Sequence, residues 1–364
     1  MTRLIMPSGP LPARIMIVGE APGSEEERIG SPFVGASGNE LTRMLSEAGI
    51  LRSECFITNV IRIRPPNNDL GTFIAFKKKD ITPHHIRLRD KMVLRCVAEG
   101  YDLLLKEIGM CDPHVIIALG NCALWALTGR WGITEWRGST MGSDVAIRGD
   151  GTRYKVVAAY HPAAVLRQWA WRPTLVHDLR RAKRESSQRP LNAPQYAFAI
   201  RPSYGDVLSF LEAQWSIVRA GEVSGGPPIP LAVDIETRQH HITCIGIATS
   251  TRSAFCIPLT CEEDENGYWS LEEEAHIVHR LYLLLTHPNV RVIGQNFIYD
   301  AQHILRWWHF IPRFRFDTML CQHVLFPGTP KALDYLASLY CEEYCQWKGD
   351  ARQLWKDNEE KKDA

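Results

Sequence analysis

Two carboxylates one residue apart close an apolar run, Leu231-Ala-Val-Asp-Ile-Glu-Thr237, and a third stands downstream in Gly294-Gln-Asn-Phe-Ile-Tyr-Asp300. Alternate residues of a strand point the same way, so Asp234 and Glu236 share one face. With Asp300 they form an all-oxygen donor set of the kind that holds Mg2+ or Mn2+. Two such ions about 3.5–4 Å apart support in-line attack on a phosphodiester. Asn296 stands beside them as a supporting amide.

A different constellation occupies the first half of the chain. Its segments are Gly19-Glu-Ala-Pro-Gly23, Gly30-Ser-Pro-Phe-Val-Gly35, Thr58-Asn59 and His161-Pro-Ala-Ala-Val-Leu-Arg167. They are expected at the C-terminal ends of successive parallel strands, the edge where such sheets bind ligands. The residue types suit a base extruded from DNA. Phe33 can stack on it, Asn59 can pair with a pyrimidine's polar edge, and Glu20 can position water. His161 can donate a hydrogen bond to an oxygen that gains charge. Gly19 and Ala21, on either side of Glu20, complete the base-binding set. Taken singly, each glycine is turn chemistry and Phe33 is core; the four segments together make the case.

The elements that must hold these residues are legible as alternating apolar runs and amphipathic stretches. Strands are expected at 14–19, 55–61, 114–120 and 154–160. Helices are expected at 39–49, 91–109, after 120 through Leu127, and at 174–187, with a long polar and basic loop at 67–86. Strands alternating with helices imply a parallel α/β sheet. After a linker at 189–195 comes a helix at 204–220, then strands at 231–236, 242–249 and 253–259. Helices follow at 271–286, 299–308 and 331–340. Three sequential strands followed by helices is an RNase H-like order. The expected domains are therefore 1–188 and 196–364.

A chain of 364 residues exceeds one ordinary core and suits two domains. No apolar run reaches the roughly 18–20 residues of a membrane span, and no signal-peptide pattern opens the chain, so no membrane partner and a cytoplasmic location are expected. Residues 1–190 carry 27 Lys/Arg against 19 Asp/Glu, an excess of +8, and the remainder 15 against 22, an excess of −7. A basic half beside an acidic half suits a polyanion-binding domain joined to a carboxylate-metal domain. The ten cysteines are scattered without a Cys-x-x-Cys pair, as reduced, buried thiols are.

The first-half motifs, with Arg64-Pro-Pro-Asn-Asn68 and Ala118-Leu-Gly120 between them, resemble the family 4 and family 5 branch of the uracil-DNA glycosylase superfamily over roughly residues 12–186. That resemblance implies an α/β/α fold, base flipping, and hydrolysis of the N-glycosidic bond of deoxyuridine in single- or double-stranded DNA. It implies Phe33 on the uracil ring, Asn59 reading its edge, His161 over its oxygen, and water held by the Glu20–Gly23 loop. Arg167 belongs to the segment that fills the gap in the duplex. Family 4 members carry an iron–sulfur cluster on four cysteines. Here none precedes Cys55, the usual Lys-Cys-Arg-Pro-Pro reads Arg62-Ile-Arg-Pro-Pro66, and only Cys96 falls near a ligand position, so no cluster is expected. Aligning on Thr82-Pro83 puts Asp80 where a branch that traps uracil-DNA covalently has histidine, with His84 and His85 off register. Lys77, Lys78 and Lys79 are expected on phosphate instead.

The second-half motifs, with Cys244-Ile-Gly-Ile-Ala248, Phe316-Asp-Thr-Met-Leu320 and Leu333-Asp-Tyr-Leu-Ala-Ser-Leu339, resemble DEDD-type 3′–5′ exonucleases. The nearest likeness is to the proofreading domain of family A DNA polymerases, notably phage ones. The likeness implies a divalent ion on Asp234, Glu236 and Asp300. The closing Tyr-x-x-x-Asp of that family is absent after Asp300, with Asp350, Asp357 and Asp363 as undistinguished substitutes. The leading expectation is a repair and proofreading module at the front of a polymerase, with replisome or polymerase domains as partners. The alternative is a non-catalytic uracil-sensing or DNA-binding scaffold. No Gly-x-Gly-x-x-Gly or Walker loop supports a metabolic α/β enzyme.

Overall fold

The computed structural model describes residues 3–191, 194–261 and 267–346. They form two compact units. One comprises residues up to Ala193 with the segment from Ala337 on; the other is Pro194–Leu336. Among the described residues, no helix is long and apolar enough to cross a membrane.

In the first unit the strands are β1 (Ile15–Gly19), β2 (Cys55–Asn59), β3 (Ile74–Ala75), β4 (His85–Leu88), β5 (Lys91–Leu94), β6 (Val115–Leu119), β7 (Thr140–Ile147) and β8 (Arg153–Ala159). The helices are α1 (Ser24–Ile29), α2 (Ala36–Glu47), α3 (Arg95–Cys111), α4 (Asn121–Thr128), α5 (Ile133–Trp136), α6 (Pro162–Arg167) and α7 (Arg172–Glu185). The main sheet runs β2-β1-β6-β8-β7. Its first four strands are parallel, with Gly19 opposite Asn59 and Leu119 opposite Ala159. Every residue of β1, β2 and β6 is buried. Strands covered on both faces need continuous apolar runs, which is why these were readable in the sequence. Leu41, Met44 and Leu45 of α2, Leu104 and Ile108 of α3 and Leu175 and Leu179 of α7 join the same core.

The second unit contains β9 (Ala197–Ala199), β10 (Ile229–Arg238), β11 (His241–Ala248), β12 (Ser253–Pro258), β13 (Val290–Gly294) and β14 (Phe314–Asp317). Its helices are α8 (Tyr204–Ser224), α9 (Leu271–Thr286), α10 (Ile298–Trp308) and α11 (Thr318–Leu325), while α12 (Leu333–Tyr340) ends beyond its boundary. The sheet order is β14-β13-β10-β11-β12-β9. β10, β11 and β12 form an antiparallel meander, and β13 lies parallel to β10. Ile245, Ile247, Leu281, Leu285 and Val292 fill a separate core. The α/β class and the three-strand order expected from sequence hold.

Four expectations need correction. Residues 91–94 are strand, and the helix expected from 91 begins at Arg95. Cross-strand pairing decides this: Val93 is fully buried and lies opposite both Ile74 and Ile86. The 67–86 loop accordingly contributes β3 and part of β4 to that small sheet. β7 went unread because its burial alternates with exposure along an antiparallel edge, and β9, β13 and β14 are only three to five residues long. Finally, the segment from Ala337, read in the sequence as part of the second half, packs within the first unit. The guanidinium of Arg181, 1% exposed, donates to the carbonyl oxygens of Ser338 at 2.7 Å and Cys341 at 2.8 Å. Thr140 N donates to Tyr344 O at 2.9 Å, and Gln346 N to Ser139 Oγ at 3.0 Å. Asn192 and Ala193 of the expected linker lie outside the described residues, as do Asp350, Asp357 and Asp363.

The strand at 91–94 is testable. Proline is tolerated in a helix's first turn but not in the central strand of a sheet. Val93→Pro should lower unfolding free energy by about 1–3 kcal/mol through the lost ladder bond, measured by urea denaturation. A neutral result would favour the helical reading.

Candidate active sites

The parallel strands of the first sheet end at one edge, and the chain leaves them there at Glu20, Val60, Gly120 and Tyr160. A cavity of about 280 Å3 opens at this edge, lined among others by Glu20, Ala21, Phe33, Asn59, His161 and Arg167. Five of the residues singled out in the sequence for a flipped base thus meet in one place, with Arg167 at the rim. Gly19 lies beneath them. A side-chain carbon there would stand 2.3 Å from Asn59 Oδ1 and 2.5 Å from the Phe33 ring, so these two side chains can approach only over glycine. Lys77, Lys78 and Lys79 are exposed on a single turn at Lys78–Asp80, apart from the cavity lining.

His161 caps the N-terminus of α6. Its Nδ1 accepts the backbone N–H of Ala163 at 3.2 Å. Nδ1 is therefore the bare nitrogen and Nε2 carries the proton. Burial pushes the imidazole's pKa below its ordinary value, against the opposing pull of Glu20. The ring is thus neutral near pH 7 and offers one N–H donor. Phe33 lies against it, with ring centroids 5.7 Å apart. Glu20 is fixed from the other side: its Oε1 accepts Cys122 N at 2.9 Å, in the first turn of α4.

Sequence reading missed the residue that shapes this cavity. Glu26, 7% exposed, accepts three backbone N–H groups: Gly23 at 3.0 Å, Val34 at 2.9 Å and Gly35 at 2.8 Å. One carboxylate thereby joins the Glu20 loop to the Phe33 loop. Phe33 itself adopts φ 53°, a left-handed conformation rare for a bulky residue. Arg52 supports it by donating to Pro32 O at 3.1 Å and Phe33 O at 2.9 Å. Glu26 sits three residues beyond the Gly-Glu-Ala-Pro-Gly run in an acidic stretch that reads as solvated. Its position at N3 of a glycine-capped helix was the available signal.

In the second unit, Asp234 and Glu236 lie on the exposed face of β10. Asp300, in the first turn of α10, is 3% exposed and accepts Ile235 N at 2.9 Å. Burial raises its carboxyl to about 6, with Asp234 and Glu236 adding to the rise. Carboxylate oxygens are the donor type that suits Mg2+ or Mn2+. Among the described residues, however, no three His, Cys, Asp or Glu side chains are gathered closely enough to cage an ion. Asn296 has φ 55° and is held by the buried Asp317, which accepts Asn296 N at 3.0 Å and Phe297 N at 2.8 Å. Asp317 also caps α11 through Met319 N at 2.8 Å. Tyr299 and Thr237 hydroxyls meet at 2.5 Å, joining α10 to β10.

Comparison with known proteins adds to this geometry. Residues 6–182 match the model of the uracil DNA glycosylase superfamily, and residues 216–363 match a 3′–5′ exonuclease model. A type-4 uracil-DNA glycosylase of Pyrobaculum aerophilum is 39% identical over 47% of this chain and 77% of its own length. A DNA polymerase of Bacillus phage SP01 is 30% identical over 62% of this chain, which spans only 21% of that protein. The structure of Escherichia coli RNase D covers 43% of this chain and 36% of its own, at 17% identity and a TM-score of 0.29.

Two measurements probe these arrangements. Glu26→Ala leaves three N–H groups without their acceptor and should lower stability by about 1–3 kcal/mol in urea denaturation; an unchanged midpoint would remove Glu26 from the role given to it. Asp300 binds its proton more tightly folded than unfolded, so its share of stability is present below pH 4 and is lost as pH rises toward about 6. In chelator, thermal melts should show that loss, and Asp300→Asn should abolish it. A pH dependence identical in the variant would assign it elsewhere.

Proposed function

The chain belongs to the uracil-DNA glycosylase superfamily, and on that premise we propose that its first unit excises uracil from DNA by hydrolysing the N-glycosidic bond. The convergence of Glu20, Phe33, Asn59 and His161 on one cavity carries this reading. The extruded deoxyuridine enters over Gly19 and Ala21, stacks on Phe33, and presents its polar edge to the Asn59 amide. As the bond from C1′ to the base breaks, its electron pair moves into the pyrimidine. The Nε2–H of His161 donates to the carbonyl oxygen that becomes an oxyanion. Glu20 orients water and takes its proton as the oxygen bonds to C1′. Arg167 enters the space left in the duplex, and Lys77, Lys78 and Lys79 contact phosphates of single- or double-stranded substrate.

The second unit works as a proofreading-type 3′–5′ exonuclease domain. Asp234, Glu236 and Asp300 would hold the divalent ion, with Asn296 supporting them, and the ion would stabilise charge on a phosphodiester. The likeness to a phage polymerase supports a place at the front of a replicative polymerase, in the cytoplasm, with polymerase domains as partners. A scaffold role for this unit is the second reading. The lack of an ion cage among the described residues favours it.

The test is incubation with end-labelled oligonucleotides carrying one deoxyuridine, in EDTA, followed by alkali. Cleavage at uracil should fall by roughly 10²–10³ in His161→Ala or Asn59→Ala, the cost of removing one such donor. Because burial lowers the His161 pKa, kcat/KM should hold across the ordinary histidine range and fall only below it. Binding without cleavage would convert the first unit into a sensor. With Mg2+ added, laddering from the 3′ end that Asp234→Ala abolishes would establish the nuclease, and its absence the scaffold.

A further inference from the structure

Behind the cavity wall that carries Asn59 lies a buried polar cluster that the mechanism does not use. Thr58, Arg62 and Glu107 are 0%, 4% and 7% exposed. Thr58 Oγ1 donates to Glu107 Oε2 at 2.9 Å, and Arg62 Nη2 meets the same oxygen at 2.5 Å. Arg62 Nη1 also bonds Thr58 Oγ1, while among the described residues its Nε has no partner. Leaving charges this deep is costly unless the geometry serves a purpose.

The cluster's neighbours suggest that purpose. Thr58 directly precedes Asn59. Beyond Asn59 the chain stays bound to the opposite loop, with Val60 N on Gly19 O and Ile61 N on Glu20 O, both at 3.0 Å. Residues 58–62 therefore carry the base-reading amide and tie down the Glu20 backbone together. α3 packs against this segment: a side-chain carbon at Gly100 would lie 2.4 Å from Val60 O. Glu107, two turns further along α3, grips Thr58 and Arg62. The N-terminal segment closes the far side, with Ile5 N donating to Arg62 O at 2.8 Å.

Relatives of the family 4 type would place an iron–sulfur cluster here, and this chain's residues do not fit one. Four thiolates are required. Cys55 lies in β2, Cys96 and Cys111 at opposite ends of α3, and Cys122 in α4, all as free thiols. Burial raises all four, Cys55 to about 12. Among the described residues, no three metal-binding side chains stand together. Ile63 and Cys96 instead pack against the apolar core.

We propose that Thr58, Arg62 and Glu107 are positioning residues for uracil excision, an ion-pair tie between β2 and α3 that sets the Asn59–Glu20 wall without iron. This rests on the glycosylase reading. The variants are Glu107→Gln, Thr58→Val and the double apolar replacement Arg62→Met/Glu107→Leu, all in the full chain. Glu107→Gln should lower kcat by roughly 10–100-fold, as a small misplacement of catalytic groups does, with KM changing little. The double variant should regain the thermal midpoint yet keep the low kcat. Recovery of kcat together with the midpoint would reduce the cluster to packing and overturn the proposal. Affinity for an oligonucleotide carrying 2′-fluorodeoxyuridine should change as little as KM. An inactive wild type would sink the glycosylase reading, whereas an active wild type whose kcat survives Glu107→Gln would sink this proposal alone. Metal analysis of anaerobically purified protein should find no stoichiometric iron, and chelators should leave the midpoint unmoved. A stoichiometric iron–sulfur chromophore would overturn the replacement.

Discussion

Parallel pairing of β1 with β2, which sets Gly19 directly opposite Asn59, is the constraint on which the first site depends. Parallel strands in register end together, so everything that follows them starts from one line. The chain steps from β1 outward to β2, then across to β6 on the other side. Loops on either side of that reversal diverge and leave a crevice between them. Glu20, leaving β1, and the start of α4, after β6, face each other across it and are joined by a hydrogen bond. Without glycine at position 19, the amide of Asn59 and the ring of Phe33 could not both reach the same spot.

Both units solve a second problem in the same way. Loops that must present side chains to a ligand have backbone N–H groups with no strand or helix partner, and buried ones are costly. Carboxylates accept them. Glu26 gathers three from two loops, Asp317 takes those of Asn296 and Phe297, and Asp300 takes that of Ile235. Charge-assisted bonds are shorter and stronger than neutral ones, so a single acid can fix a loop that a serine could not. The role each acid plays then follows from what else it sees. Glu26 and Asp317 are occupied by backbone and act as frame. Asp300 accepts Ile235 N with one oxygen, while burial, Asp234 and Glu236 raise its carboxyl.

Electrostatics divides the two sites by the charge they are built to receive. In the first, burial keeps His161 neutral, and Glu20 accepts from the first turn of α4. In the second, burial together with Asp234 and Glu236 raises the carboxyl of Asp300. The basic excess of the first 190 residues and the acidic excess of the remainder are this contrast seen at the level of composition.

The amino-acid sequence by itself determined the classes of fold, and it named Glu20, Phe33, Asn59 and His161, which the structure brings to one cavity. A short apolar run such as Val115–Leu119, bounded by turn residues, suits a strand buried on both faces, and Asp234-x-Glu236 shares a face because its run is a strand. Those are local facts, carried by periods of two and by residue type. What the tertiary structure decided was every matter of pairing. Lys91–Leu94 reads as the start of a helix until Val93 is placed between Ile74 and Ile86. Glu26, in an acidic stretch, looks solvated until two glycine-bordered loops close on it. Glu107, more than forty residues from Thr58 and Arg62, looks unrelated to them until α3 packs on β2. The segment from Ala337 looks like the tail of the second half until Arg181 caps its carbonyls. A buried polar residue is defined by its partner, and a partner dozens of residues away leaves no periodic trace, so those roles became visible only in three dimensions.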